Sequence, residues 1–472
     1  MPISSFRDPS GFLLTRGEQI FRIVHTEDAE DLFRFLESRP GRGLLRQGHF
    51  IASRYAAHED RDLVLDDVAD RICDWESAAV LEHERVWFPS YPFEWPSLML
   101  AEAARVTLDI AAKLQAENLG LKDATPYNVL FRGPHAVFVD ATSIEKRDPT
   151  DPLWRPLGQF LQTFLYPLIL ERTTGARSCE TLFGRREGVT SDEVYQRLTY
   201  WQRLRYLRWV SIPHWLSGRK LTPASYRPQS SADSEAAGNI FGSTLRALHT
   251  AIAAAEATSE RSVWNTYAVN CHYDDASRAA KHAFVTRALS RFENGRVLDL
   301  GANDGEYSLV AARAGHQTVA CDLDAACMNA LWRQVRVENL AVLPLVLNLA
   351  NPSPAMGWNN QETKPFLERA REARFDCVLL LALLHHLTIT ERVPLAFVVD
   401  LAADLTTEYV VIEWVGPEDL YYQALLRGRQ SLHANDTREA FESACSRRFE
   451  IVSTVSLSGG RRWLYLLAKH GS

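Results

Sequence analysis

Val297-Leu-Asp-Leu-Gly-Ala-Asn-Asp-Gly-Glu-Tyr-Ser308 reads as a buried strand that turns through glycine straight into a helix. Such a turn can hold a nucleotide-like ligand, because free backbone N–H groups gather at the helix start. Gly301 and Gly305 stand four apart, with Asp299 two before the first, an Asp-x-Gly-x-x-x-Gly pattern. The dinucleotide fingerprint needs Gly-x-Gly-x-x-Gly, and here Asn303 and Glu306 occupy positions that it reserves for glycine. Spacing and the missing lysine exclude the Gly-x-x-x-x-Gly-Lys-Ser/Thr phosphate loop as well.

Outward from the turn, Gln317-Thr-Val-Ala-Cys-Asp-Leu-Asp324 reads as a second strand. A carboxylate at its end, Asp322, can accept hydrogen bonds from both hydroxyls of a ribose. Asp324 falls past the strand end, and the alternative is that both aspartates cap the helix beginning near Ala325. Together the glycine turn and Asp322 resemble the class I S-adenosyl-L-methionine (SAM)-dependent methyltransferases. That resemblance implies SAM as cofactor, held by Asp299, Gly301, Asn303, Gly305 and Asp322, with Asn348 at the end of strand three beside the adenine.

Further apolar runs at Leu343 to Leu349, Asp376 to Leu384 and Tyr409 to Val415 are separated by helix-length stretches. Continuous apolarity suits strands buried on both faces, so the fold class is α/β with a parallel sheet. Phe449 to Ser456 and Arg462 to Ala468 flank Leu457-Ser-Gly-Gly460, a turn signal for a terminal antiparallel hairpin. The family likeness makes this a Rossmann-like methyltransferase sheet, its last strand inserted antiparallel beside strand five.

Ligands in such sheets sit at the carboxyl ends of the strands, where His385, His386 and Glu413 fall. A histidine there can take the proton that a methyl acceptor loses, and because neighbours on a strand point oppositely only one of the pair is expected to face substrate. The alternative roles are structural: crevice floor for the histidines, a hydrogen bond for Glu413. Before the turn, Trp264, Tyr267, Tyr273 and Lys281 lead into an amphipathic helix of about Ala276 to Phe292. Tyrosine attracts a sulfonium and lysine meets a carboxylate, so Tyr273 and Lys281 are candidates to lid the cofactor; ordinary core is the alternative.

The N-terminal half carries Leu121-Lys-Asp-Ala-Thr-Pro-Tyr-Asn-Val-Leu-Phe131, then Ala136-Val-Phe-Val-Asp-Ala-Thr142, after a long amphipathic helix from Pro96 to Asn118. Asp123 and Asn128 have kinase catalytic-loop spacing and Asp140 the place of the second metal carboxylate, which resembles a kinase-like α+β domain. Several kinase parts are absent. No lysine precedes Lys113, no glycine-rich loop is evident, and His-Arg-Asp and Asp-Phe-Gly are replaced by Leu121-Lys-Asp123 and Asp140-Ala-Thr142. Arg22 or Arg54 could stand in for the lysine, but arginine is not an equivalent phosphate ligand. The domain therefore reads as degenerate.

With Ser90-Tyr-Pro-Phe-Glu-Trp95, Val139 to Glu145 and Trp154 to Leu170, nearly the whole chain resembles one bacterial family, methyltransferases with a long N-terminal extension that include rhizobial nodulation proteins. The resemblance implies a SAM-dependent enzyme and leaves its acceptor open. The organisation expected is a kinase-like, non-catalytic domain over residues 1–217, a linker and connecting helix over 218–260, and a methyltransferase domain over 261–472. Polar sequence from about Gly218 to Asn239 reads as exposed loop.

A net charge of -7 argues against a dominant nucleic-acid surface, and Arg203 to Arg208 reads as a solvated helix face. Seven cysteines without a Cys-x-x-Cys pair fit a reducing compartment and indicate no metal. No signal peptide or spanning segment is evident, so the expected location is cytoplasmic. The primary expectation is a methyltransferase whose N-terminal domain recognises the acceptor. The alternatives are a phosphotransferase using Asp123, Asn128 and Asp140, and a non-catalytic adaptor.

Overall fold

The computed structural model describes residues 3–5, 11–68, 78–217, 233–256, 274–428 and 436–471. It divides into two compact units: Met1–Thr258 with Met356–Thr363, and Ser259–Ala355 with Lys364–Ser472.

The first unit is α+β. An antiparallel sheet in the order β1-β2-β3-β5-β4 is built from β1 (Ile3–Ser5), β2 (Gly11–Arg16), β3 (Gln19–His25), β4 (Ser53–Tyr55) and β5 (Ala78–His83). Alternation along β3 sends Phe21 and Ile23 into a core with Leu14, Val64 and Val80, which leaves Arg22 on the other face. Helix α1 (Thr26–Glu37) follows, and α2 (Ser97–Gln115) is buried nearly all round, as suits a central helix. Two short antiparallel pairs come next: β6 (Leu119–Leu121) with β9 (Ile144–Lys146), and β7 (Val129–Arg132) with β8 (His135–Phe138).

The polar stretch expected to be loop up to Asn239 is helical from Ser234, in α3 (Ser234–Ala255). Asp233 accepts the Glu235 N–H as its cap, and Ala237, Phe241, Leu245, Leu248 and Ile252 then recur at helical spacing on a buried face.

The second unit is a seven-stranded sheet in the order β12-β11-β10-β13-β14-β16-β15. Its strands are β10 (Arg296–Leu300), β11 (Gln317–Asp322), β12 (Val342–Val346), β13 (Phe375–Leu380), β14 (Thr406–Val415), β15 (Phe449–Leu457) and β16 (Arg462–Lys469). β10 to β14 pair in parallel, and β16 inserts antiparallel between β14 and β15. This is the Rossmann-like methyltransferase sheet with its terminal hairpin, whose turn uses left-handed Ser458, Gly459 and Gly460. Strand order reverses beside β10, which opens a crevice at its carboxyl end.

The connecting helices include α4 (Asp275–Leu289), α5 (Glu306–Arg313), α6 (Ala325–Glu338), α7 (Phe366–Ala373), α8 (Leu395–Leu405), α9 (Leu420–Leu426) and α10 (Arg438–Cys445). Phe284 and Leu289 of α4 pack with Val297, Leu379, Val411 and Leu464 from the sheet. Two strands are shorter than their apolar runs. β12 stops at Val346 rather than Leu349, and β13 at Leu380 rather than Leu384, where left-handed Ala382 (φ 53°) turns the chain out of the sheet.

Candidate cofactor and active site

Gly301 (φ 76°), Asn303 (φ 50°) and Gly305 (φ 82°) give the turn after β10 its left-handed backbone. The N–H groups of Gly301 and Ala302 donate to the Cys321 carbonyl at 2.8 and 3.0 Å, which ties the turn to the end of β11. Close packing also demands the glycines. A Cβ on Gly305 would lie 2.4 Å from the Leu331 side chain of α6, and one on Gly301 would lie 3.2 Å from Leu383.

The structure separates the roles of the two aspartates after β11. The Asp322 carboxylate accepts the N–H of Asn303 and of Asp324, each at 2.8 Å. Asp324 caps α6, accepting from Ala326 at 2.8 Å and Cys327 at 3.2 Å. A carboxylate has roughly four lone-pair sites, so these bonds orient Asp322 toward the turn without saturating it. Burial pushes its pKa up, with the backbone N–H bonds opposing.

Asp299 lies beneath the turn, 2 % exposed, and accepts a 2.6 Å hydrogen bond from Ser308 Oγ. Burial pushes its pKa up to about 6, against the Ser308 bond. Asn348, half-buried after β12, accepts the Ala350 N–H at 3.0 Å. Tyr273 lies outside the described residues, as do Trp264 and Tyr267.

Lys281 and Glu413 meet at 2.8 Å inside the second unit, with the glutamate side chain 0 % exposed. Arg462 approaches the other oxygen of Glu413 at 3.4 Å and grips Asp419 with two bonds, at 2.7 and 3.1 Å. Two cations thus face two carboxylates. Burial opposes the charge on Lys281, but Glu413 and Tyr307 outweigh it and hold the ammonium above its ordinary pKa. Asp419 is held below the usual carboxylate range because Arg462 outweighs its burial. Sequence reading missed Arg462 and Asp419, and the one available signal was an arginine opening an otherwise apolar strand.

His385 and His386 follow β13 in a helical turn, so they do not alternate as strand neighbours would; their ring centroids are 4.4 Å apart. His385 is 2 % exposed, and among the described residues neither ring nitrogen has a hydrogen-bond partner. Burial, then His386 and Arg462, drive its pKa down to about 3, so at neutral pH the imidazole is uncharged. It lines a cavity with Thr388, Trp414, Tyr422 and Asp436, in which the Tyr422 hydroxyl donates to Asp436 at 2.7 Å. A buried imidazole with two unsatisfied nitrogens calls for a polar partner. His386 is half-buried, and burial followed by Arg462 lowers its pKa too.

In the first unit, Val139 N–H donates to the Asn128 carbonyl at 2.8 Å, and Asp123 N–H donates to Ser143 Oγ at 3.2 Å. These bonds gather Asp123, Asn128 and Asp140 at the ends of the short strand pairs. Asp140, however, accepts from Arg22 of β3 at 2.8 Å, and Arg22 also reaches Thr142 Oγ1 at 2.6 Å.

A family model described as a methyltransferase domain matches residues 273–403. The nodulation protein NoeA of Rhizobium meliloti (strain 1021) is 30 % identical over 471 residues, spanning 98 % of this chain and 94 % of its own. Among solved structures, the N-methyltransferase NodS from Bradyrhizobium japonicum WM9 aligns at 13 % identity with a TM-score of 0.31, over 42 % of this chain and 98 % of NodS. The bifunctional kinase-methyltransferase WbdD aligns at 22 % identity with a TM-score of 0.30, over 42 % of this chain and 40 % of WbdD. The glycine turn, the sheet order and the matched domain define a SAM-dependent methyltransferase. The chain belongs to the family of the nodulation protein NoeA.

Proposed function

We propose that the second unit methylates an acceptor at the strand ends beside His385 and His386, with Asp322 holding the ribose of SAM. The observation that carries the cofactor assignment is the division of labour after β11. Asp324 caps the helix, which leaves the Asp322 carboxylate oriented on the glycine turn for another donor. SAM supplies an electrophilic methyl group on a sulfonium. Gly301, Asn303 and Gly305 shape the turn that receives it, Asp299 supports that turn from below, and Asn348 stands on the adenine side.

His385 accepts a hydrogen bond from the O–H or N–H of the acceptor, since an uncharged imidazole has a nitrogen lone pair for it, and the proton passes on by way of His386 rather than resting on His385, whose burial disfavours the imidazolium. Glu413 and Lys281, matched to each other in the interior, act as positioning residues for the strand ends. A nodulation-related acceptor, a saccharide or another small molecule, is the reading that the NoeA family favours. The first unit recognises that acceptor rather than transferring phosphate, because Arg22 occupies Asp140. Buried free thiols at Cys179, Cys321, Cys327, Cys377 and Cys445 favour a reducing, cytoplasmic setting.

Calorimetric titration with SAM tests the cofactor site, and no binding by the wild-type protein would overturn it. With labelled SAM, transfer of label into an acceptor fraction that is lost in His385→Ala, while SAM affinity is kept, tests the catalytic assignment.

A further inference from the structure

Tyr200–Arg205, Leu207–Ser211 and Ile212–Ser217 run on as an almost continuous helical rod, α then π then α, in the first unit. Its inner stripe is buried at Tyr206, Val210 and Ser211. The outer stripe of a surface helix should then be polar. Instead Trp201 is 77 % and Trp215 58 % exposed, and Leu204, Ile212 and Leu216 are exposed as well. Arg205 and Arg208 are the exposed charges among them, and residues 200–217 contain no aspartate or glutamate. The solvated face expected around Arg203 to Arg208 is therefore an aromatic and basic ridge.

An exposed apolar patch of this kind marks a surface that something covers. Tryptophans at both ends, aliphatic residues between them and arginines without acids are the composition of a helix lying in a lipid interface. A second copy of the ridge fits poorly, because a twofold contact would bring arginines of both copies together, and the acid beside the ridge, Asp192, is engaged by His214 and Ser217. We propose that residues 200–217 dock the protein on the surface of an anionic bilayer. The apolar side chains enter the headgroup boundary and Arg205 and Arg208 meet lipid phosphates. Among the described residues no helix is long and apolar enough to cross a membrane, so the ridge lies on the bilayer.

The test is co-sedimentation of the full chain with vesicles of phosphatidylcholine alone, or with about one third phosphatidylglycerol. The expected result is binding to the anionic vesicles that high salt weakens. Arg205→Gln with Arg208→Gln should lower it roughly tenfold or more, and Trp201→Ser with Trp215→Ser should abolish it, with circular dichroism and SAM binding unchanged. No sedimentation of wild type with anionic vesicles overturns the proposal, whatever the variants do. Binding that both variant pairs retain places the contact elsewhere and overturns it too. Wild-type self-association, lost in the tryptophan pair and without vesicle binding, would assign the ridge to a protein contact instead.

Discussion

The Arg22 guanidinium donates to the Asp140 carboxylate at 2.8 Å, and the Thr142 hydroxyl donates to the same oxygen at 2.9 Å. In protein kinases the third strand supplies the phosphate-clamping lysine, and a strand-ending aspartate, the residue that Asp140 resembles in sequence, holds metal. Here a cation from the third strand sits on that carboxylate itself. Guanidinium does not deprotonate and matches carboxylate well, so a divalent ion would have to displace an internal partner to bind. Near Asp123 and Asn128, the Asp140 carboxylate therefore already has its charge matched from within the unit.

Magnesium with ATP is accordingly expected to leave the melting temperature of the protein unchanged. Asp140→Ala should destabilise the first unit by about 1.5 to 3 kcal/mol, the worth of hydrogen bonds to a charged group. Differential scanning fluorimetry reads both. A rise with magnesium and ATP that Asp140→Ala removes would restore the phosphotransferase alternative.

Asp322→Ala and Asp324→Ala should separate binding from capping. The first removes charged hydrogen bonds to the cofactor and should cost about 1.5 to 3 kcal/mol, roughly a ten- to hundredfold loss of SAM affinity. The second removes a helix cap and should cost about 1 kcal/mol of stability, with SAM affinity little changed. Calorimetry that shows equal affinity losses for the two would mean that both aspartates serve only the local backbone.

How much of this was legible in the chain depends on how local each signal is. The glycine turn and Asp322 lie on one short stretch each, and a strand-turn-helix pattern needs no distant partner to be recognised. Strand limits were misread because Leu379 to Leu384 stays apolar after the strand has ended; left-handed Ala382, not polarity, stops it. Arg462 and Asp419 are 43 residues apart and pair only once β16 has inserted beside β14. The ridge at Trp201 to Leu216 was read by its arginines, since the buried inner stripe that reveals its apolar outer side appears only in three dimensions.

Gly305→Ala combines two penalties, a left-handed backbone and a Cβ 2.4 Å from Leu331. The cost should reach about 1 to 3 kcal/mol, with displacement of α5 against α6. SAM affinity should fall with it, because the turn is part of the site. Gly428 has a similar φ, and a Cβ added there would meet nothing within 4 Å among the described residues, so Gly428→Ala is the control for the backbone cost. Equal effects from the two would show that the Leu331 contact yields easily.

Glu413→Ala should be among the most damaging single substitutions, since it takes the carboxylate from the buried Lys281 ammonium and leaves Arg462 with Asp419 alone. Breaking a buried pair costs about 3 to 5 kcal/mol. Adding Lys281→Met should recover part of the loss, because one stranded charge is gone and the methionine has similar length. Urea unfolding of the single and double variants gives the coupling. Additive losses would mean that Lys281 and Glu413 are held independently.

Asp299 gives the second unit a pH dependence of defined sign. Its carboxyl ionises near about 6 in the folded protein, against an ordinary value of 3.8. Between those values the folded state holds a proton that the unfolded chain has released, so stability falls as pH rises through the window. The burial penalty is absent below the lower value and fully developed above the upper one, and it amounts to about 3 kcal/mol. Asp299→Asn cannot ionise. Its stability relative to wild type should therefore improve by about that amount as pH rises from roughly 4 to 6, with little change above. Hydrogen exchange at the β10 amides across a urea series, repeated at several pH values, follows the second unit by itself. A difference that stays constant with pH would mean that Asp299 is charged in the folded protein at all of them, and that the Ser308 bond at 2.6 Å outweighs burial.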